Sequence, residues 1–343
     1  MNEVHQKIID AAIRKAERVC PESLLLIGIY GSAATGDLHP KSDLDLLILI
    51  GDELGWQLAD GFILADTQIG YDIYCTNWDM LEGDARCSHA HLSRLLDCII
   101  VYVKEPSAVV RLEELQDKAR KLLASDRRKE KAQAALDTAK AMYADCFLAE
   151  SLSGVRTGAG AAIHYLLDAV MLYHGHYFRM GVKRTFEEVS ALGLPFDMDA
   201  MVTEVIRGTS VEEIRTALTK LMQCVREHLK EPIQKEKASA ANLKGTYEEM
   251  FSNWRNKMGE AAQRGDLFSS FMNMESFCFM LKEIAEGVDI PEWNPMDGFD
   301  SRDLQKNVET FDRILAKYRE EYQKAGMEPK IFPNVDAFLA QYE

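Results

Sequence analysis

Long apolar runs are missing from this chain. No stretch reaches the roughly 18 residues that a membrane-spanning helix needs, so no membrane partner is expected. The start, Met1-Asn2-Glu3-Val4-His5-Gln6-Lys7, lacks the basic opening and apolar core of a secretion signal. Cysteine pairs are also missing. The seven cysteines (Cys20, Cys75, Cys87, Cys98, Cys146, Cys224 and Cys278) are odd in number, scattered, and never spaced as CxxC. That pattern fits reduced thiols in a cytoplasm better than a disulfide framework or a zinc site. Positive charge is scarce: 40 Lys and Arg stand against 55 Asp and Glu, a net charge of −15. A dedicated nucleic-acid binder would display a basic surface, so nucleic acid is not an expected partner. The acidic balance is compatible with a cationic small molecule and equally with solubility alone. No internal repeat or low-complexity tract is present.

What is present is enough for more than one domain. The 343 residues exceed one ordinary domain, and 47% hydrophobic residues can fill packed cores. Val4, Ile8, Ala12, Ile13, Ala16 and Val19 recur at helical spacing over residues 3–19. Short apolar strands are expected at 24–30, 44–50, 62–64, 69–75 and 98–103, with a helix over 78–97. This mixture defines an α/β-type first domain at 1–107. Beyond Pro106 the strand signals stop. Residues 108–153 read as one proline-free helix, broken by Gly154 to Gly160, and a second apolar helix runs from 161 to 180 until Gly181. Helices near 184–192, 198–207 and 210–230 complete a helical domain at 108–232. The last is introduced by Ser210 with Glu213 three residues on, a capping-box spacing. Polar residues 231–243 make a linker to a third, helical domain at 244–343, with helices near 245–263, 266–286 and 301–324 and an aromatic tail expected to dock. The fold class is α+β: an N-terminal mixed sheet with helices, then an all-helical region.

The chemistry is concentrated in residues 28–50, GIYGSAATGDLHPKSDLDLLILI. An apolar strand ends at the turn Gly31-Ser32, a polar loop follows, and the chain re-enters an apolar run at Asp43-Leu44-Asp45. Residues i and i+2 of a strand share a face, so Asp43 and Asp45 project together, with Leu47 and Leu49 continuing that face inward. Two adjacent carboxylates repel unless a proton or cation lies between them, and oxygen-only donors favour a hard cation such as magnesium. Asp72 lies in a later strand, Gly70-Tyr71-Asp72-Ile73-Tyr74. Were that strand adjacent, three carboxylates could hold the two ions that clamp attacking and leaving oxygens in phosphoryl or nucleotidyl transfer. Gly31 permits a tight turn, and the amides and hydroxyl that follow, Ser32 included, can point at phosphate oxygens.

Combined as G-S-x10-D-x-D between two apolar strands, with Asp72 on a third, the pattern resembles the nucleotidyltransferase superfamily that includes DNA polymerase β. It is more closely similar to the aminoglycoside nucleotidyltransferases and to the minimal nucleotidyltransferases of toxin–antitoxin pairs. The resemblance is specific over about residues 24–76; YHGHYFRMGVKRTFEEV at 173–189 fits the antibiotic enzymes' helical domain only loosely, and residues 241–343 depart from it. It implies a catalytic nucleotidyltransferase domain in which Gly31 and Ser32 hold the triphosphate. Asp43, Asp45 and Asp72 would bind two Mg2+ ions, and ATP or another NTP would be the co-substrate. The acceptor would be a hydroxyl on a small molecule, an aminoglycoside-type antibiotic among the candidates; the enzyme would be cytoplasmic, and a homodimer is left open. The resemblance also implies a helical-domain carboxylate as general base, with Asp137, Asp145 and Glu150 as candidates.

Other features read as scaffold. Cys87 and His91 would be i and i+4 on a helix, a surface pair rather than metal ligands, since no second pair stands at zinc-like spacing. His164, His174 and His176 read as core or surface histidines, and the basic residues between Lys118 and Lys131 as a solvated face. The aromatics at 247–277 read as core. Two other functions stay open: adenylylation of a protein or an RNA end in a toxin–antitoxin or regulatory setting, and an inactive nucleotide-binding sensor. A fused ribonuclease toxin is disfavoured, because Arg156 and His164 are too far apart for an R-x4–6-H signature.

Overall fold

In the computed structural model, residues 3–38, 41–231 and 234–342 are described. His39 and Pro40 of the motif loop and Pro232 and Ile233 of the expected linker lie outside them. The first apolar pattern folds as an amphipathic helix, α1 (Glu3–Val19), whose Ile8, Ile9, Ala12 and Ala16 are buried. It is followed by β1 (Leu24–Ile29), a short helix α2 (Gly31–Thr35) and β2 (Leu46–Ile50). The antiparallel strands β3 (Asp60–Leu64) and β4 (Ile69–Ile73) form a hairpin of their own. Then come β5 (Cys75–Thr76), α3 (Trp78–Ala85), α4 (Ser93–Leu96) and β6 (Ile99–Val103). The main sheet has the order β5-β2-β1-β6, with β1 antiparallel to β2 and β6, and β2 parallel to β5.

All five residues of β2 are buried, and they alternate between two cores. Leu47 and Leu49 join the core on the face carrying the later helices, whereas Leu46, Ile48 and Ile50 join α1, Leu58 and Tyr71 on the other. Burying each such side chain contributes about 1.5–3 kcal/mol, so β2 is firmly anchored from both faces. The strand fixes whatever its N-terminal end presents.

The helices that follow are α5 (Pro106–Ala124), α6 (Arg127–Leu148), α7 (Leu152–Tyr173), α8 (Thr185–Ser190), α9 (Met198–Arg207) and α10 (Val211–His228). Their buried residues share one core with α3, α4 and the Leu26, Leu47 and Leu49 face of the sheet. The expected single helix at 108–153 is two, parted at Ser125-Asp126. The glycines at 154–160, expected to break a helix, lie inside α7 instead. A Cβ on Gly158 would come within 2.9 Å of the Cys146 Cα, so this glycine lets α6 and α7 approach closely. The Ser210/Glu213 capping box is formed as its spacing predicts.

The chain divides into two compact units, Met1–Lys230 and Glu231–Glu343. The second unit is not wholly helical: in the expected linker, β7 (Glu236–Lys237) pairs in parallel with β8 (Val288–Asp289) and is followed by α11 (Ala240–Leu243) and a helical run in which α12 (Thr246–Met250) passes through a wider turn into α13 (Asn256–Arg264). Its core lies between α13, α14 (Leu267–Gly287) and α15 (Leu304–Lys324), where the rings of Phe277 and Phe311 stack at 4.0 Å. Not all the aromatics expected in this core are buried: Phe251, Phe268 and Phe271 are exposed. The tail also departs from expectation, since α16 (Val335–Tyr342) buries no residue and its Phe338 packs on Phe332 and Tyr342. Among the described residues, no helix is long and apolar enough to cross a membrane.

Candidate active site

β1 ends at Ile29, paired with Leu46, and the ladder is extended by the Tyr30 N–H donating to the Asp45 carbonyl at 3.1 Å. The chain then turns sharply, with Gly31 at φ +63°. The turn is shaped around one side chain. A Cβ on Gly31 would stand 2.0 Å from Asp45 Oδ2, so the carboxylate occupies the space any other residue would fill. Asp45 also accepts the Ser32 N–H. Burial, and then the nearby charge of Asp43, raise the Asp45 carboxyl above its ordinary pKa, against the pull of the Ser32 amide. Asp43, two residues earlier, is exposed.

These placements refine the expectation in two respects. Asp43 and Asp45 precede β2 rather than lying in it, because after the Tyr30–Asp45 bond the chain turns away at Gly31. The Ser32 amide is committed to Asp45, which leaves its hydroxyl as the Ser32 donor for a ligand.

Asp72 lies on β4, three residues before Cys75 of β5. Its strand pairs with β3 through Gly61 opposite Asp72 and leads through Tyr74 directly into β5, the parallel neighbour of β2, where Cys75 stands opposite Ile48. Alternation along β4 buries Tyr71, which stacks on Phe62 at 5.3 Å and meets His5 edge-on, and leaves Asp72 exposed on the opposite face. The phenol of Tyr71 is the group from this strand that senses Asp43: burial first and that charge second raise its pKa.

Asp43, Asp45, Gly31 and Ser32 line a cavity of about 650 Å³. Asp37, Lys41, Gly70, Ser93, Arg179 and Lys183 line it as well, Gly70 standing two residues before Asp72 on β4. Asp37 is therefore the third carboxylate of the cavity, but its oxygens face Lys183 and Arg184, each at 3.1 Å. The Lys183 hydrogen bond above all holds its carboxyl below the ordinary range.

Arg179 and Lys183 come from the segment between α7 and α8. It is tied down where the Phe178 N–H donates to the Ala90 carbonyl at 2.8 Å, where Tyr177 and Arg179 both reach Asp97, and where the Arg179 N–H meets Glu188. Sequence reading noted this stretch only for a loose resemblance. The signal it missed was three cations, Arg179, Lys183 and Arg184, within six residues of an acidic chain.

The remaining candidates lie elsewhere. Asp137 is exposed on α6 and bound to Lys140 and Gln133. Asp145 and Glu150 are exposed too, and none of the three lines the cavity. Nor does any residue of the basic run at 118–131. Helix 78–97 is interrupted at 86–92, so Cys87 and His91 are not a helical surface pair: Cys87 is fully buried at φ +50° and His91 lies in the loop. The interruption is pinned by buried Asp84, which binds Arg94 bidentately, and by buried Asp168, which accepts the Ala90 N–H at 2.9 Å. His164 lies on α7, His174 caps its end, and His176 follows it.

Residues 13–68 match the family model of the nucleotidyltransferase domain. The match holds Gly31, Ser32, Asp43 and Asp45 and stops short of Asp72. The N-terminal region is a nucleotidyltransferase domain. The chain is accordingly a transferase whose general reaction moves a nucleoside monophosphate from an NTP. No curated protein matches the sequence. Among solved structures, the nucleotidyltransferase-like protein from Exiguobacterium sibiricum 255-15 is similar over 81% of this chain and 92% of its own, at 13% identity and a TM-score of 0.36.

Proposed function

We propose that this nucleotidyltransferase transfers the NMP group of ATP, or another NTP, to a hydroxyl of a small molecule with the help of magnesium. The observation that carries the reading is the Asp43/Asp45 pair, with Asp45 seated under Gly31 at the rim of a cavity that also presents cations. The donor set suits the metal: both groups are carboxylates, and the ionised form of Asp45 is disfavoured by burial and by Asp43, a penalty a divalent cation would relieve. Magnesium is commonly held by one or two carboxylates with substrate phosphates completing the shell, and Asp72, on the strand that leads into the neighbour of β2, would be the third carboxylate, for a second ion. When bound, the ion would neutralise phosphate charge and orient the α-phosphate for in-line attack.

The protein's own groups do the rest. Asp43 and Asp45 hold the metal, and the Ser32 hydroxyl donates to a phosphate oxygen. Arg179 and Lys183 bind the β- and γ-phosphates, exchanging carboxylate partners for phosphate oxygens. Asp37, released from Lys183, is the carboxylate nearest to hand for the acceptor proton. The net charge of −15 is compatible with a polycationic acceptor such as an aminoglycoside.

The test is incubation with labelled ATP, magnesium and a panel of aminoglycosides and lincosamides. Labelled drug with stoichiometric pyrophosphate release is the expected result. Label on protein or RNA alone would replace the small-molecule acceptor with a macromolecule. Nucleotide binding with no pyrophosphate release under any condition would sink the enzymatic reading.

A further inference from the structure

Away from the nucleotide cavity, the loop at 86–92 and helix α7 build a second polar cluster. His164 and Asp168 are i and i+4 on α7 and share one face. His91 reaches the same spot from the loop. The His91 and His164 Nε2 atoms each stand 3.8 Å from a different oxygen of Asp168, and one donor atom from each residue lies within 4.8 Å of the others.

Asp168 is the unusual member. It is 1% exposed, and its Oδ1 accepts the Ala90 N–H while its Oδ2 has no hydrogen-bond partner. Compare Asp84, 2% exposed, whose two oxygens are both taken by Arg94. A buried carboxylate without a cation is costly, and what faces the open oxygen of Asp168 is an imidazole rather than a guanidinium.

From this geometry we infer that His91, His164 and Asp168 form a binding site for a borderline divalent transition ion, with zinc as its probe. Two imidazoles and a carboxylate are the donor set such ions prefer and magnesium does not. A zinc ion about 2.0–2.1 Å from each donor in tetrahedral geometry sets donors about 3.3 Å apart, so gaps of 3.8 Å to the nearer Asp168 oxygen, and within 4.8 Å across the set, must close by about 0.5 to 1.5 Å. The half-exposed rings, now stacked parallel at 5.2 Å, can tilt to do so, while Asp168 stays fixed by its helix and by Ala90. Three protein donors leave a fourth position to water or a ligand. The ion would staple the 86–92 loop to α7 beside Phe178, which stacks on His91 and directly precedes the cavity residue Arg179.

The full-length protein, stripped with chelator, is titrated with Zn2+ against a chromogenic competitor and separately with Co2+ by visible spectroscopy. One equivalent should bind, Tm should rise with zinc, and the Co2+ bands should lack thiolate charge transfer. His91→Gln and His164→Gln should each weaken binding about tenfold or more. Because both rings are half exposed, the metal-free variants should melt like the metal-free wild type, which separates lost ligation from lost folding. Undiminished zinc binding in both variants would overturn the assignment. So would thiolate bands from one of the cysteines, loss of binding in His174→Gln instead, or no zinc uptake by the wild type at micromolar concentration.

Discussion

Gly31 and Asp45 occupy a single space: a Cβ on the first would lie 2.0 Å from Oδ2 of the second. Gly31 also sits at φ +63°, where an L side chain costs about 1–2 kcal/mol. Gly31→Ala should therefore displace the Asp45 carboxylate, with an activity loss of about a hundredfold, the scale of a 1 Å misplacement. Its thermal melt should fall by only a few degrees, because both cores flanking β2 are untouched. An alanine variant with wild-type turnover would show that Asp45 need not sit where the structure has it.

Removing the charge of Asp45 should separate stability from function. An acid whose folded pKa is raised stabilises the fold fully below its ordinary value, and that contribution is lost as pH rises through the raised value. At neutral pH, without metal, ionised Asp45 is thus a liability, and Asp45→Asn should melt no lower than wild type. Melts from pH 4 upward should show a smaller loss of stability in the variant. Turnover in Asp45→Asn or Asp43→Asn should fall by about a hundredfold or more, and added magnesium should raise the Tm of wild type alone. Equal magnesium-dependent stabilisation of either variant would remove that carboxylate from the metal set.

Asp72 separates function from stability most cleanly. It is exposed on the hairpin face turned from Tyr71, on the strand that leads into the parallel neighbour of β2. With Asp72 as the third proposed metal ligand, Asp72→Asn should lower turnover by about a hundredfold or more, yet change stability by about 0.5 kcal/mol or less, as for other exposed substitutions. Turnover within a few-fold of wild type would remove it from the metal set.

The surroundings of these aspartates mark what the sequence could convey. The period-2 alternation of 44–50 correctly divided Leu47 and Leu49 from Leu46, Ile48 and Ile50, because both faces of β2 are buried and register is then forced. The strand expected at 69–75 runs from the β3–β4 hairpin into β5 beside β2. That β3 would close on β4 was not legible, because apolar pattern alone leaves pairing undetermined. Glycine was ambiguous for a related reason: Gly154 to Gly160 look like a break, and only the approach of α6 shows why α7 tolerates them. Arg179 and Lys183 lie more than 130 residues from Asp45 in sequence, and local patterning carries no information about such a meeting.

Lys183 supplies the last test. Its ammonium now bridges to Asp37, whose depressed pKa means that the pair is intact at neutral pH and weakens as pH falls through the lowered value of the acid. In the proposed reaction the ammonium transfers to the triphosphate, so Lys183→Ala removes a contact made in both ground and transition states. The KM for NTP should rise about tenfold, the worth of one charge-assisted contact of about 1.4 kcal/mol, while kcat changes little. Asp37→Asn should act in reverse on binding, freeing the lysine and lowering the KM for NTP. If Asp37 also accepts the acceptor proton, the same variant should lose kcat, and the acid limb of the kcat profile should disappear with it. Steady-state kinetics of the two variants across pH 5 to 9 would decide both points. A Lys183→Ala enzyme with unchanged KM would place the triphosphate elsewhere in the cavity.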